Sequence, residues 1–375
     1  MRKKRSSKSK SNNKLKKSVV LWISSFVIIT LSVLFLGKFG LLGNDKSAAI
    51  DTYEDTPSKS EPTIDPIEIT KKNAVKYIPT PYINPTPGEI DYDAIPGLTN
   101  EKPYSKELVS EGSKNILFVG SDRFSGLYDT IGIFSIDKEN EKIKIIMIPR
   151  DLYINYNEKV RHYLSIHGKA NNGGFYKINA AHNIGPYLKY EGKFEPYSMN
   201  FLADVIKEKF GIVVDDYVKI NPDGFVELVD LFGGVDIDVP IDMNYDDPFQ
   251  DLSIHLNKGM QRLNGKQAEG FVRFRQGYNE EGELFQIGDV ERKNNQIKFI
   301  KAFIKQHGTI TNIDKIPELT KTLNKNLKHS FGVGDILTSY IGLAKDVITK
   351  KYEIESVTLT GQGKTLNGTY YIFIE

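Results

Sequence analysis

The 375 residues are 39% hydrophobic, 26% charged and 11% aromatic, which is ordinary for a globular protein and excludes a wholly disordered or fibrous chain. The absence of cysteine excludes a disulfide scaffold, a cysteine nucleophile, a thiolate zinc site and a cysteine-borne lipid anchor, and the six histidines form no H-E-x-x-H zinc pattern. The formal charge of +2 hides a segregation: nine of the first 17 residues are basic and none is acidic, while the other 358 carry 41 basic and 48 acidic side chains, a poor surface for nucleic acid.

Residues 18–37, SVVLWISSFVIITLSVLFLG, carry no charge. As a helix they span ~30 Å, the thickness of a bilayer's hydrocarbon core. The basic residues 1–17 should stay in the cytoplasm and send the C-terminal part outside. The alternative is a cleaved signal peptide, but the run is longer than such an apolar region, and the nearest small-residue site, Ser47-Ala48-Ala49, lies well beyond it. An uncleaved single-pass anchor is the expectation. Residues 45–110 then hold nine of the 16 prolines with weak periodicity, so 38–111 reads as an extracytoplasmic spacer, with room for a small accessory element around 88–110.

From Asn115 the pattern becomes regular. Asn115–Gly120, Thr130–Ile136 and Ile143–Ile148 read as strands, the last two separated by Asp137–Asn140. Met199, Leu202, Ala203, Ile206 and Phe210 mark an amphipathic helix. Tyr217–Ile220 is a strand, Pro222–Leu231 a helix stopped by Gly233-Gly234, and Val235–Val239 a strand. Helices are expected over 289–306 and 334–347, and strands over Ile354–Leu359 and Thr369–Ile374. This mixture, with few obvious hairpins, implies an α/β or α+β fold with a central mixed sheet flanked by helices.

Four clusters could carry chemistry. Asp122 follows one strand and Asp129 precedes the next, so two carboxylates meet at one end of adjacent strands. Such a pair suits a hard cation such as Mg²⁺, which takes one or two carboxylates and substrate phosphates; the alternative is two aspartates that cap turns. Ile148-Pro149-Arg150-Asp151 follows a strand. In Phe271-Val272-Arg273-Phe274-Arg275-Gln276, an extended backbone would put Arg273 and Arg275 on one side. On a helix, Asp289, Arg292 and Gln296 share a face, with Ile297, Ile300 and Ile304 as an apolar stripe. Only seven arginines lie outside the tail, and five of them (Arg123, Arg150, Arg273, Arg275, Arg292) fall in these clusters. The planar guanidinium binds phosphate at two points where lysine cannot; the alternative is arginine–aspartate pairs that brace the sheet. The histidines read as structural or surface residues rather than catalytic ones, with His182 the first candidate for an exception.

In this order the clusters resemble the LytR-CpsA-Psr family of bacterial cell-envelope enzymes over 112–375. The stretches that carry the likeness are Asn115–Asp122, Asp129-Thr130, Ile148–Asp151, Lys177–Ala181, Asp216–Asn221, Gly233–Asp236, Val272–Arg275, Gly288-Asp289 with Arg292, and Gly361–Tyr371. The resemblance implies a membrane-anchored phosphotransferase at the cell membrane of a Gram-positive-type envelope. It would move a glycopolymer, such as teichoic acid or a capsular polysaccharide, from a polyprenyl-pyrophosphate carrier to peptidoglycan. It further implies Mg²⁺ or Mn²⁺ on Asp122 and Asp129, and catalytic roles for Arg123, Arg150, Arg273, Arg275, Arg292 and Asp289. Substrate binding would fall to Arg150, Lys177, Asn179, Arg273, Arg275 and Gln296, and an apolar tunnel would take the lipid.

Two positions depart from the family pattern. Leu127 and Asn295 stand where arginines are usual, with Arg123 and Lys293 as replacements. Three alternatives stay open: a polyprenyl-pyrophosphate hydrolase, a binding protein for lipid-linked glycan, and a membrane-bound transcription attenuator. The 17-residue tail is too short for a DNA-binding fold, which counts against the last.

Overall fold

Alternate residues of three neighbouring strands are sorted onto two opposite faces, and both faces are buried. The computed structural model describes residues 90–307, 326–330 and 341–374. The expected tail, anchor and most of the spacer lie outside them, as does the start of the helix expected from 334. Among the described residues, no helix is long and apolar enough to cross a membrane.

Strands β1 (Lys114–Ser121), β2 (Tyr128–Asp137) and β3 (Lys142–Ile148) form an antiparallel meander. Ile116, Ile136, Ile145 and Met147 enter one core, whereas Leu117, Val119, Ile133 and Ile146 enter the other. This period of two follows from the pleat. Continuous apolar runs are expected where helices cover both faces.

Helices α1 (Glu158–Ile166) and α2 (Tyr197–Phe210) supply Val160, Leu164, Phe201 and Ile206 to the second core. Strand β4 (Asp216–Ile220) runs parallel to β1. Helix α3 (Pro222–Leu231) follows, with Asn221 as its cap and Pro222 in its first turn. Strands β5 (Val235–Val239), β6 (Met243–Asp247), β7 (Leu252–Leu256) and β8 (Gly259–Leu263) pair as β5 with β8 and β6 with β7. Helix α4 (Gly265–Arg273) comes next, then the short β9 (Gln276–Tyr278) and β10 (Leu284–Gln286), and then helix α5 (Gly288–His307). Strand β11 (Leu327–His329), helix α6 (Ile341–Lys350), strand β12 (Glu353–Thr358) and the hairpin β13 (Gln362–Leu366) and β14 (Thr369–Phe373) complete the described elements. The main sheet has the order β11-β4-β1-β2-β3-β12, with parallel pairs β1–β4 and β3–β12, so it is mixed as expected.

Two expectations are corrected. Residues 271–273 are not extended but form the last turn of α4. Asn264 and Gln267 form a reciprocal capping box at its start, and Ala268 and Phe271 bury one helical face. Antiparallel hairpins are also commoner than expected, in β6–β7, β9–β10 and β13–β14. Asn367 and Gly368, both at positive φ, make the tight turn of the last.

Residues 91–111 lie against this body. Leu98 and Leu108 are buried, and the amides of Leu98 and Thr99 donate to Glu208 at 2.8 and 2.9 Å.

Candidate active site

A cavity of about 300 Å³ opens beside the C-terminal end of β1. Its lining changes character along each contributing element. β1 gives Ile116 and Phe118, then Gly120, and Asp122 follows the strand. β2 gives Asp129 and Thr130 near its start and Phe134 further along. α5 gives Arg292 and Gln296 in its first half and Phe299, Phe303 and Ile304 in its second. One end is therefore apolar and the other charged. Gly132 shapes the apolar part, because a Cβ there would lie 2.3 Å from the Phe118 ring. That ring packs on Phe134 at 4.4 Å.

Four arginines (150, 273, 275, 292) and three carboxylates (Asp122, Asp129, Glu269) line the cavity. Most are already paired. Arg150 binds Asp129 through Nη1 and lies 3.4 Å from Asp151 through Nε. Burial works against its charge, but these carboxylates raise its pKa overall. Arg292 is 4% exposed and pairs with Asp289 at 2.5 Å. Burial lowers its pKa, opposed by Asp289. Burial also opposes the Asp289 charge, yet Arg292, Lys293 and Arg150 hold that carboxyl below its usual value. Arg273 donates to Glu269 at 2.8 Å and to Gln250 at 3.3 Å. Among the described residues Arg275 is different: it is exposed, lines the cavity and has no carboxylate partner. Arg292 Nε and Gln296 Oε1 are buried without a hydrogen-bond partner.

Seven of the residues singled out in the sequence thus meet in one place: Asp122, Asp129, Arg150, Arg273, Arg275, Arg292 and Gln296. Arg273 and Arg275 converge there from a helix end and the residue after its cap, not from an extended segment. The others stand behind the lining. Lys177 donates to Asp151 at 2.7 Å, which in turn lies against Arg150. The Asn179 amide donates to the Arg150 carbonyl at 3.2 Å, with its side chain buried. Asp289 holds Arg292 and Lys293. Arg123, expected to replace the arginine missing at Leu127, is held by Asp223 and Glu269 outside the lining. Lys293 is likewise buried on Asp289, and Asn295 is buried outside the lining.

His182 does not line the cavity; it stacks on Tyr128 at 3.8 Å, and burial, helped by Lys219, lowers its pKa to about 4. Sequence reasoning missed Glu269, a buried acid on the cavity wall. Its signal was the i, i+4 spacing to Arg273 on a capped helix.

Of the two carboxylates, Asp122 follows the turn-capping alternative, whereas Asp129 is held in an ion pair. Asp122 caps its own loop, accepting from the amides of Ser125 at 3.0 Å and Gly126 at 2.7 Å. Asp129 is the second residue of β2 and pairs with Arg150. Among the described residues no three His, Cys, Asp or Glu side chains gather as a metal site. The donor set, two carboxylates and no nitrogen or sulfur ligand, fits a hard cation that takes its other ligands from phosphate and water.

An apolar cavity under a cationic rim defines a mixed-sheet protein suited to an amphiphile with an anionic head. The chain belongs to the LytR_cpsA_psr family, whose pattern matches residues 93–375. It is 28% identical over 252 residues to an uncharacterized protein of Staphylococcus aureus, covering 67% of this chain and 53% of the relative. It is 27% identical over 293 residues to the polyisoprenyl-teichoic acid–peptidoglycan teichoic acid transferase TagV of Bacillus subtilis, covering 75% of this chain and 66% of TagV. The match thus spans between half and two thirds of these two relatives. The fold is similar to the crystal structure of B. subtilis TagV, with a TM-score of 0.50 and 24% identity over 71% of this chain and 92% of that one. It is similar also to the protein gbs0355 of Streptococcus agalactiae, with a TM-score of 0.51 and 23% identity over 69% and 82% of the chains.

Proposed function

We propose that the chain is a membrane-anchored phosphotransferase that moves a glycopolymer of the teichoic acid or capsular class from a polyprenyl-pyrophosphate carrier to peptidoglycan. The observation that carries this reading is the cavity's polarity: aromatic and aliphatic side chains fill one end and four arginines the other. The polyprenyl chain occupies the apolar end, and the arginines receive the diphosphate. A peptidoglycan hydroxyl oxygen attacks the phosphorus that bears the glycan. The bond from that phosphorus to the bridging oxygen breaks, polyprenyl phosphate leaves, and the hydroxyl proton passes to solvent at the open rim.

The arginines stabilise the charge that gathers on the transferred and leaving oxygens. Arg275 binds without giving up a partner, whereas Arg150 and Arg292 are preset by Asp129, Asp151 and Asp289. Asp122 and Asp129 would hold a Mg²⁺ or Mn²⁺ ion, which would supply further charge neutralisation at the diphosphate. Residues 18–37 anchor the chain, and the charge asymmetry around them places the domain outside the cell.

The test is transfer itself. Full-length chain in detergent is mixed with a labelled polyprenyl-pyrophosphate glycan, Mg²⁺ and peptidoglycan. Label on the peptidoglycan, with equal release of polyprenyl phosphate, is the expected result. Release at the same rate without acceptor would mean hydrolysis, and retention of intact substrate would mean binding alone.

A further inference from the structure

Glu269 gathers three cations from two parts of the chain. It lies within α4 and is 3% exposed. Its Oε1 accepts from Arg273 Nη1 at 2.8 Å and from Arg123 Nη2 at 3.0 Å. Its Oε2 accepts from the same Arg123 nitrogen at 3.0 Å and from Lys266 at 3.4 Å. Arg123 in turn reaches Asp223 in the first turn of α3 through Nη1. Arg123 is the residue after Asp122, so the loop bearing one rim carboxylate is tied to α3 and α4 through this guanidinium. The same Glu269 carboxylate fixes Arg273, whose other nitrogen meets Gln250.

Charge makes this hub more than a brace. The cavity lining holds four arginines against three carboxylates, one of them Glu269. An acid beside a diphosphate site repels the ligand, so a residue kept only for affinity would not be acidic here. We propose that Glu269 is a positioning residue that couples the Asp122 loop to Arg273 and keeps the rim's affinity for a diphosphate below what its arginines alone would give. The advantage is chemical: a weaker hold on the ground state leaves more of the arginines' interaction for the charge that develops during transfer and for product release. This inference rests on the reading of the rim as a diphosphate site.

The test uses full-length chain in detergent, isothermal titration with inorganic pyrophosphate, turnover of a polyprenyl-pyrophosphate glycan and a thermal melt. E269Q keeps the size and one acceptor oxygen but removes the charge. It should bind pyrophosphate about tenfold more tightly, the size expected for losing one nearby, partly screened charge, while kcat falls. A carboxylate that only held the fold together would give the opposite sign, with weaker binding and slower turnover together. E269D keeps the charge but not the reach to both arginines, so its affinity should stay parental while kcat falls.

If E269Q melts far below the parent, Arg123→Lys decides instead. It keeps the charge but loses the two-point fork, and should lower kcat at unchanged pyrophosphate affinity. Parental affinity in a folded E269Q, or parental kcat in Arg123→Lys, overturns the inference alone. A parent that binds no pyrophosphate overturns the diphosphate reading beneath it as well.

Discussion

Arg292 Nη2 donates to the main-chain carbonyl of Asp129 at 3.2 Å. The first turn of α5 is thereby tied to the start of β2, and the Asp129 side chain is left to Arg150. Gln296, one turn later, repeats the tie by donating to Thr130 Oγ1 and the Val272 carbonyl, both at 3.1 Å. α5 therefore sets the depth of the rim relative to the sheet. Arg292→Ala should cost about 2 kcal/mol of stability, because it leaves a half-buried Asp289 with only part of its compensation and removes a partly buried hydrogen bond to the Asp129 carbonyl. It should also slow turnover on the order of 10²-fold as a transition-state ligand disappears. A melt and a steady-state assay measure both. Parental stability would mean that this tie is not needed to place α5.

Arg275 should behave differently. Its guanidinium is exposed and has no carboxylate partner among the described residues. Arg275→Ala should leave the melting temperature unchanged and still reduce kcat on the order of 10²-fold. Arg275→Lys should restore only part of that loss, since a point charge cannot reproduce two-point phosphate binding. A variant that raised KM alone would show that Arg275 holds substrate and transition state equally.

Asp122 allows charge and capping to be separated. Its carboxylate accepts from the Ser125 and Gly126 amides. Asparagine retains an acceptor for those bonds, so Asp122→Asn should melt like the parent. It should nevertheless lose the Mg²⁺ dependence of pyrophosphate binding, because the cation loses an anionic ligand. Titrations with and without Mg²⁺ check this. Unchanged Mg²⁺ dependence in Asp122→Asn and in Asp129→Asn would remove both residues from a cation site.

Much of this arrangement was legible in the sequence, because its signals are local. The strand and helix periods located β1–β5, α2, α3, α5, β12 and β14 to within about two residues, though not β13 or α4, and much of the rim falls at the ends of the located elements. Arginine's scarcity against abundant lysine marked the cavity mouth. The misread segment, 271–273, is short and holds an aromatic and a β-branched residue that suit either period; the capping box seven residues upstream decided it. The role of Arg123 was hidden for a different reason. Its partners Asp223 and Glu269 lie 100 and 146 residues away, so only the topology that sets α3 and α4 beside the β1–β2 loop could reveal that it is already spoken for.

Asn295 shows how burial changes an expectation drawn from spacing. Three residues beyond Arg292, an arginine there could be expected to reach the same phosphate. The position is 6% exposed and outside the cavity lining. Asn295→Arg must therefore force a long cation into packed surroundings, at a cost of about 1–3 kcal/mol. The expected result is a lower melting temperature with no gain in pyrophosphate affinity. A stable variant that binds more tightly would show that α5 can turn this position towards the rim.

His182 should make stability pH-dependent in a window it shares with His329, whose pKa burial also lowers, so the two are separated by substitution. Burial, reinforced by Lys219, lowers its pKa from 6.5 to about 4, although Asp122 and two backbone groups pull the other way. The unfolded chain therefore binds this proton at higher pH than the folded one. Between these values the unfolded state holds more protons, so stability rises with pH. The contribution is complete above about pH 7 and is lost as the pH falls towards the folded value, in total on the order of 3 kcal/mol. The lowered carboxyl of Asp137, at about 2, acts below this range. Melting temperatures of the parent should therefore fall between pH 7 and pH 4.5. His182→Phe, which preserves a ring against Tyr128, should fall less over the same interval. Parallel profiles for the two proteins would mean that His182 is protonated in the folded state as readily as in the unfolded chain.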